Sequence, residues 1–195
     1  MLLYDRWRAG DNTAGQQLLQ RHFDSIYAFF ETKCEAEADE LTQATFLACM
    51  KSRDNFRKQS SFRTYLFMIA RHELYHLLRR RERHDKKLDF EISSIAELVT
   101  TPGSRIARRQ EHAHLVGSLQ HLPVDQQTLL ELHYWEELDI AQLAEVFEVE
   151  AGTISTRLHR ARKALKEQLE KVGTVAPKAL ETLESMDVWV RQAKA

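Results

Sequence analysis

Between Ala151 and Leu169 the apolar side chains Ile154, Leu158, Ala161, Leu165 and Leu169 recur at steps of four, three, four and four. A strand cannot bury that set on one face, whereas a helix gathers it into one stripe. At roughly 100° per residue the opposite face carries Gly152, Thr156, His159, Arg160 and Lys163. Thr153, Ser155, Arg157 and Arg162 flank it. Just upstream, Asp139 is placed to cap a shorter helix, with Gln142 positioned to reach back as a variant capping box. Ile140, Leu143, Ala144 and Phe147 form its apolar stripe, and Glu148-Val149-Glu150 is the turn, with Val149 as an apolar plug. Two such helices predict a helix-turn-helix whose second helix reads DNA. Small hydroxyls and Arg at the start of that helix can reach base edges, and later cations suit phosphates. The alternative is an amphipathic pair with a solvated basic face.

The rest of the chain also argues for helix. Three prolines, six glycines and no alternating apolar pattern in 195 residues argue against sheet. The expected fold is all-α, with two small helical domains joined by a linker and the helix-turn-helix in the second. A formal net charge of −1 singles out no partner, yet the charge is segregated. Residues 31–40 are acidic, 51–87 are basic around Arg79-Arg80-Arg81, and 125–150 contain acids but no Lys or Arg. Such alternation suits a protein that touches both DNA and another protein. No signal peptide or long apolar run appears, so a cytoplasmic protein without membrane insertion is expected.

Domain limits follow from breakers and periodicity. Residues 1–87 form the expected first domain, 88–104 a linker containing Thr100-Thr101-Pro102-Gly103-Ser104, 105–172 the second domain, and 173–195 a tail with one further helix. In the first domain Asp11-Asn12-Thr13 is predicted to cap a single helix toward Phe30, with Leu18, Leu19, Phe23, Ile26, Tyr27 and Phe30 buried. Helices over about 36–50 and 61–84 follow, the last packing Phe62, Tyr65, Leu66, Ile69, Leu74, Leu77 and Leu78. In the second domain a helix over 105–119 precedes one begun by Leu122-Pro123, in which Leu129, Leu130, Leu132 and Trp135 pack.

One motif points elsewhere. His72-Glu73-Leu74-Tyr75-His76 matches the zinc-protease pattern H-E-x-x-H, in which both histidines hold zinc and the Glu is general base. Nine histidines raise the chance of coincidence, and Arg79-Arg80-Arg81-Glu82-Arg83 on the same helix would repel a metal. The bland reading is a solvent- or DNA-facing pair. Cys34 and Cys49 are isolated, which favours reduced thiols over a disulfide or zinc site. No cofactor and no catalytic residue is expected.

Two blocks in order carry a family resemblance. The first is Ala38-Asp39-Glu40-Leu41-Thr42-Gln43-Ala44-Thr45-Phe46-Leu47, then Phe56, Ser60-Ser61-Phe62-Arg63-Thr64-Tyr65-Leu66 and Ile69-Ala70-Arg71. The second is Leu122-Pro123, Ile140-Ala141-Gln142-Leu143-Ala144 and Gly152-Thr153-Ile154-Ser155-Thr156-Arg157-Leu158-His159-Arg160-Ala161-Arg162. Together they resemble the bacterial RNA polymerase sigma factors of the extracytoplasmic-function (ECF) group, over about residues 8–170.

The resemblance implies a region 2 domain that binds core polymerase through Asp39, Glu40, Leu41, Gln43 and Phe46. An acidic, partly apolar helix face suits a basic partner. It implies that Asn55, Phe56, Arg57 and Lys58, with Ser61, Phe62, Arg63 and Tyr65, open the −10 element and hold an unstacked base. Core packing is the competing role for these aromatics. Arg71, His72, His76, Arg79 and Arg80 fall where the family meets adjoining duplex. In region 4, Ser155, Thr156, Arg157 and Arg160 match −35-contacting positions, and Thr153, His159 and Lys163 share or flank that face. Core RNA polymerase and promoter DNA are the implied partners, and an anti-sigma factor is implied by the resemblance alone. Ala44 stands where relatives often carry an acid, and His72 and His76 replace residues that are commonly Asn and Asp. The rival readings are a helix-turn-helix regulator acting without polymerase and a zinc metalloprotease.

Overall fold

The computed structural model describes residues 2–56, 60–81, 89–98, 110–172 and 190. All its regular structure among these residues is helical: α1 (Leu2–Arg8), α2 (Asn12–Gln20), α3 (Phe23–Cys34), α4 (Ala38–Lys51), α5 (Phe62–Arg81), α6 (Ile95–Leu98), α7 (Gln110–Gln120), α8 (Val124–Tyr134), α9 (Ile140–Phe147) and α10 (Ala151–Val172). The chain divides into two compact units, Met1–Leu77 with Glu145–Phe147, and Leu78–Ala144 with Glu148–Ala195. No described helix is long and apolar enough to cross a membrane.

In the first unit α1 packs on α2, and α3 on α4. The α1–α2 turn uses Gly10 at φ 103°, which glycine adopts without a Cβ penalty. Asp11 then caps α2 by accepting the Ala14 N–H at 3.0 Å, as the sequence predicts, and pairs with Arg6 at 2.6 Å. The Ala14 hydrogen bond and then Arg6 hold its carboxyl below the usual carboxylate range. Trp7 lies against α2 where a Cβ on Gly15 would stand, 2.5 Å from the indole Nε1.

The single helix expected from Asp11 toward Phe30 is instead two, broken at Arg21–His22, and α1 precedes them. The break has a packing cause. The first segment must lie on α1 and the second on α4, and one straight rod cannot serve both partners. Phe23, expected inside, is 43% exposed. The core instead gathers Ile26, Phe29, Phe30, Leu66, Phe67 and Leu74. Burial of Phe67 and Ala70 as well as Leu66, Ile69, Leu74, Leu77 and Leu78 makes α5 apolar on more than one face. Buried hydroxyls of Thr42 and Thr45 donate to the Ala38 and Leu41 carbonyls at 2.7 and 2.8 Å, so they need no partner outside α4. Buried Lys33 donates to the Phe29 carbonyl at 2.9 Å, with its ammonium 3.9 Å from the Phe29 ring centre.

In the second unit α10 packs on α7 and α8. The predicted stripe of Ile154, Leu158, Ala161, Leu165 and Leu169 is buried throughout. Leu129, Leu130 and Leu132 of α8 are buried too, while Trp135 is half-buried and donates its indole N–H to the Val190 carbonyl at 3.1 Å. Val190 is buried, and the rest of the tail helix expected after residue 172 lies outside the described residues. So do residues 82–84 and 105–109, the outer parts of two expected helices.

The start of α8 is unusual. Its N-cap is Pro123, which offers no side-chain oxygen to the orphan N–H groups of the first turn. A segment of the expected linker supplies the acceptors. Val124 N–H donates to the Ser93 carbonyl at 2.9 Å and Asp125 N–H to the Phe90 carbonyl at 3.1 Å, with Ser94 bridged to Pro123. Phe90 and Ile95 are buried.

Candidate nucleic-acid interface

The helix-turn-helix forms by local chemistry. Gln142 N–H donates to the Asp139 carboxylate at 2.8 Å, and Asp139 N–H to the Gln142 side-chain oxygen at 3.0 Å, closing the predicted capping box. At the far end Glu148 takes φ 56°, and Val149 N–H donates to the Ala144 carbonyl at 3.0 Å. This is the left-handed termination that helices commonly use, here with Glu where glycine is favoured. Thr153 and Ile154 N–H groups then share the Glu150 carbonyl, and α10 begins.

With its stripe buried, α10 turns Gly152, Thr153, Ser155, Thr156, His159, Arg160 and Lys163 outward, all exposed. Ser155 and Thr156 hydroxyls back-bond to the carbonyls of Ala151 and Gly152 at 3.4 and 3.2 Å, leaving lone pairs outward. The first turn of α10 contains no acid, although exposed Glu150 directly precedes it. The two flanking arginines differ from Arg160. Arg157 is half-buried and bonds Glu91 at 2.5 Å, with Asp125 at 3.7 Å. Arg162 donates to the Tyr134 hydroxyl at 2.6 Å. Residue type alone does not signal these pairings.

In the first unit the −10 candidates separate by burial. Phe56 is buried, edge-on to Tyr4 at 5.0 Å and to Phe62 at 5.7 Å between ring centres. Phe62 is half-buried among Tyr4, Trp7 and His22. Tyr65 is half-buried, with its hydroxyl 2.7 Å from Ser52 Oγ and 3.0 Å from the Ser52 carbonyl. Ser61 caps α5 by accepting the Thr64 N–H at 3.0 Å. Asn55 is exposed in a 3₁₀ turn, and Arg63 is half-buried with its guanidinium 5.5 Å from the Phe67 ring centre. Arg57 and Lys58 lie outside the described residues.

Along α5, Arg71 and His72 are half-buried, and His76, Arg79 and Arg80 are exposed. Arg71 donates to the Tyr75 hydroxyl at 3.0 Å. No group of three His, Cys, Asp or Glu that could hold a metal occurs among the described residues.

Burial, then Arg63 and Arg21, push the His22 imidazole below its ordinary value of 6.5. The unfolded chain therefore takes up a proton at a pH where folded His22 stays neutral. Stability from this group is present above about 6.5 and falls as pH drops through that value toward the folded one. Acidification from pH 7.5 to 5.5 is expected to lower the urea midpoint more in the wild type than in His22→Gln. Equal shifts in the two proteins would refute this.

On α4, Asp39, Glu40 and Gln43 are exposed, Leu41 is buried, and Phe46 is half-buried. Phe46 stacks on Phe23 and Phe23 on Tyr27, each pair 6.2 Å apart between ring centres. Leu47 and Met50 are 46% and 52% exposed beside them. Phe23, Leu47 and Met50 are absent from the sequence-derived set. Their signal is the helix break, which frees Phe23 from the core.

The comparisons with known proteins agree in kind. The family described as Sigma-70 region 2 matches residues 18–84, and that described as Sigma-70, region 4 matches residues 115–165. The RNA polymerase sigma factor YlaC of Bacillus subtilis (strain 168) is 31% identical over 163 residues, covering 80% of this chain and 92% of that protein. The ECF RNA polymerase sigma factor SigW of the same organism is 25% identical over 173 residues, covering 83% and 92%. Two solved structures share the fold. The sigma factor RpoE from Bartonella quintana, crystallised with the anti-sigma factor NepR, matches at TM-score 0.60 and 23% identity, covering 80% of this chain and 96% of that one. CnrH in complex with the cytosolic domain of CnrY matches at TM-score 0.66 and 22% identity, covering 87% and 96%.

Proposed function

The chain belongs to the ECF group of RNA polymerase sigma factors, and we propose that its two units divide promoter recognition between them. The second unit reads the −35 element through α10, with Thr153, Ser155, Thr156, His159, Arg160 and Lys163 toward the DNA. The observation that carries this reading is that these side chains are exposed together while the apolar stripe behind them is buried. Exposed hydroxyls and cations on one helix face suit base edges and phosphates.

The first unit engages the −10 element. Asn55, Arg57, Lys58, Ser61 and Arg63 supply polar and cationic contacts, with Phe62 and Tyr65 presenting ring edges. Phe56 acts as an anchor for this loop rather than a stacking platform, because its ring is committed to Tyr4 and Phe62. Arg71, His72, His76, Arg79 and Arg80 line the adjoining duplex. The chain carries no catalytic chemistry of its own. It lends specificity to core polymerase.

Core polymerase docks on α4 through Asp39, Glu40, Gln43 and Phe46, while buried Leu41 holds that helix in place. The exposed apolar group of Phe23, Leu47 and Met50 beside them supports a protein partner there, since such patches mark interfaces. An anti-sigma factor of the kind bound to the Bartonella relative would cover the same face.

Run-off transcription with core polymerase on a panel of promoters tests the reading. Specific initiation is expected, and Phe46→Ala is expected to raise the concentration needed for half-maximal transcript about tenfold while the protein stays folded. No initiation on any promoter, together with no binding to core, would sink the proposal.

A further inference from the structure

The linker segment at residues 89–98 does more than connect. Its carbonyls at Phe90 and Ser93 cap α8, and it thereby brings Glu91 to the flank of the DNA-facing helix. There Arg157 meets two carboxylates of different character. The Asp125 side chain is 12% exposed, lies on α8, and is fixed within the unit. The Glu91 side chain is 61% exposed, lies in the linker segment, and makes the shorter bond. One guanidinium thus faces two carboxylates beside the Arg160–Lys163 face.

We infer that Arg157 is a phosphate site with an intramolecular occupant: Glu91 fills it in the free chain, and a DNA backbone phosphate displaces Glu91 on binding. This rests on the −35 reading of α10. Asp125 keeps the guanidinium oriented in both states. The Glu91 contact is suited to exchange because exposed ion pairs are weak and screened by salt, whereas a guanidinium on phosphate is a charge-assisted, bidentate contact. Displacement also loosens the segment that caps α8. DNA binding and linker release are therefore coupled, and each favours the other by the same factor.

The test uses the full chain and a fluorescein-labelled duplex of random sequence, because phosphate competition needs no specific site. Glu91→Gln is expected to bind about three- to tenfold tighter, with a salt dependence steeper by about one released counterion. That gain is expected to vanish in an Arg157→Gln background. Unchanged affinity, or the same gain without Arg157, overturns the inference, the latter because it would reflect bulk charge alone. A second readout needs no DNA. Amide exchange at Val124 and Asp125 is expected to speed up in Glu91→Gln, and unchanged exchange overturns the strap. Arg160→Gln separates the two ideas. If it binds DNA as the wild type does, the −35 reading of α10 fails, while the amide readout still judges the strap.

Discussion

Replacing Gly15 with alanine is expected to destabilise the first unit, although alanine is the better helix former. On propensity alone the change favours α2 by roughly 1 kcal/mol. The new methyl, however, would stand 2.5 Å from Trp7 Nε1 and 2.7 Å from Cγ. Real contacts do not close to that distance, so the indole or α1 must move. The indole has little room, being 6% exposed and edge-on to Tyr4 and Phe62 at 6.4 Å between ring centres. Overpacking of this kind costs typically about 1–3 kcal/mol, enough to outweigh the propensity gain where the indole cannot yield. The displacement also travels, because Tyr4 and Phe62 both contact Phe56, which anchors the loop proposed to meet the −10 element. Urea unfolding followed by tryptophan fluorescence measures the loss. Trp7→Leu combined with Gly15→Ala is expected to be less destabilised than the two single costs added. A Gly15→Ala protein as stable as the wild type would refute the steric account.

The second large effect is on DNA. Arg160→Ala is expected to weaken binding to a promoter duplex about tenfold or more, at an unchanged melting temperature. Arg160 is exposed on the outward face of α10 and pairs with no carboxylate among the described residues, so folding does not draw on its charge. Arg162, two positions on, predicts the reverse. Its guanidinium bonds the Tyr134 hydroxyl and lies 5.6 Å from that ring's centre. Arg162→Ala should therefore lower stability before it touches affinity. Titration of labelled duplex at several salt concentrations, beside thermal melts of both variants, separates the two. If the melt shifts with Arg160→Ala and binding does not, α10 is not the DNA-reading element.

What could be read in advance follows how locally each feature is encoded. The helix-turn-helix was legible because its signals lie within a few residues: Asp139 with Gln142, and apolar positions stepping along α10. The break between α2 and α3 was not, because the apolar residues on either side stay in phase, and only their different tertiary partners separate them. The aromatics around Phe56 share one difficulty. Stacking on a base and packing in a core call for the same side chains, and only position decides. The roles of Arg157 and Arg162 depend on partners 66 and 28 residues away, a distance at which no periodic pattern carries information. The capping of α8 by the linker was hidden for the same reason, since Pro123 merely omits a signal.

That capping also orders events in time. Helix α9 closes both ends with bonds spanning three to five residues. The first turn of α8 waits for Phe90 and Ser93, about thirty residues upstream, so its closure carries a larger loop entropy. The helix-turn-helix is thus expected to form early and the linker clasp late. Pulse-labelled exchange during refolding is expected to protect the Gln142 and Val149 amides before those of Val124 and Asp125, and the opposite order would contradict it. On that order, a refolding chain would hold Arg157 apart from Glu91 until the clasp closes. Its attraction for nucleic acid would then be greatest before refolding is finished.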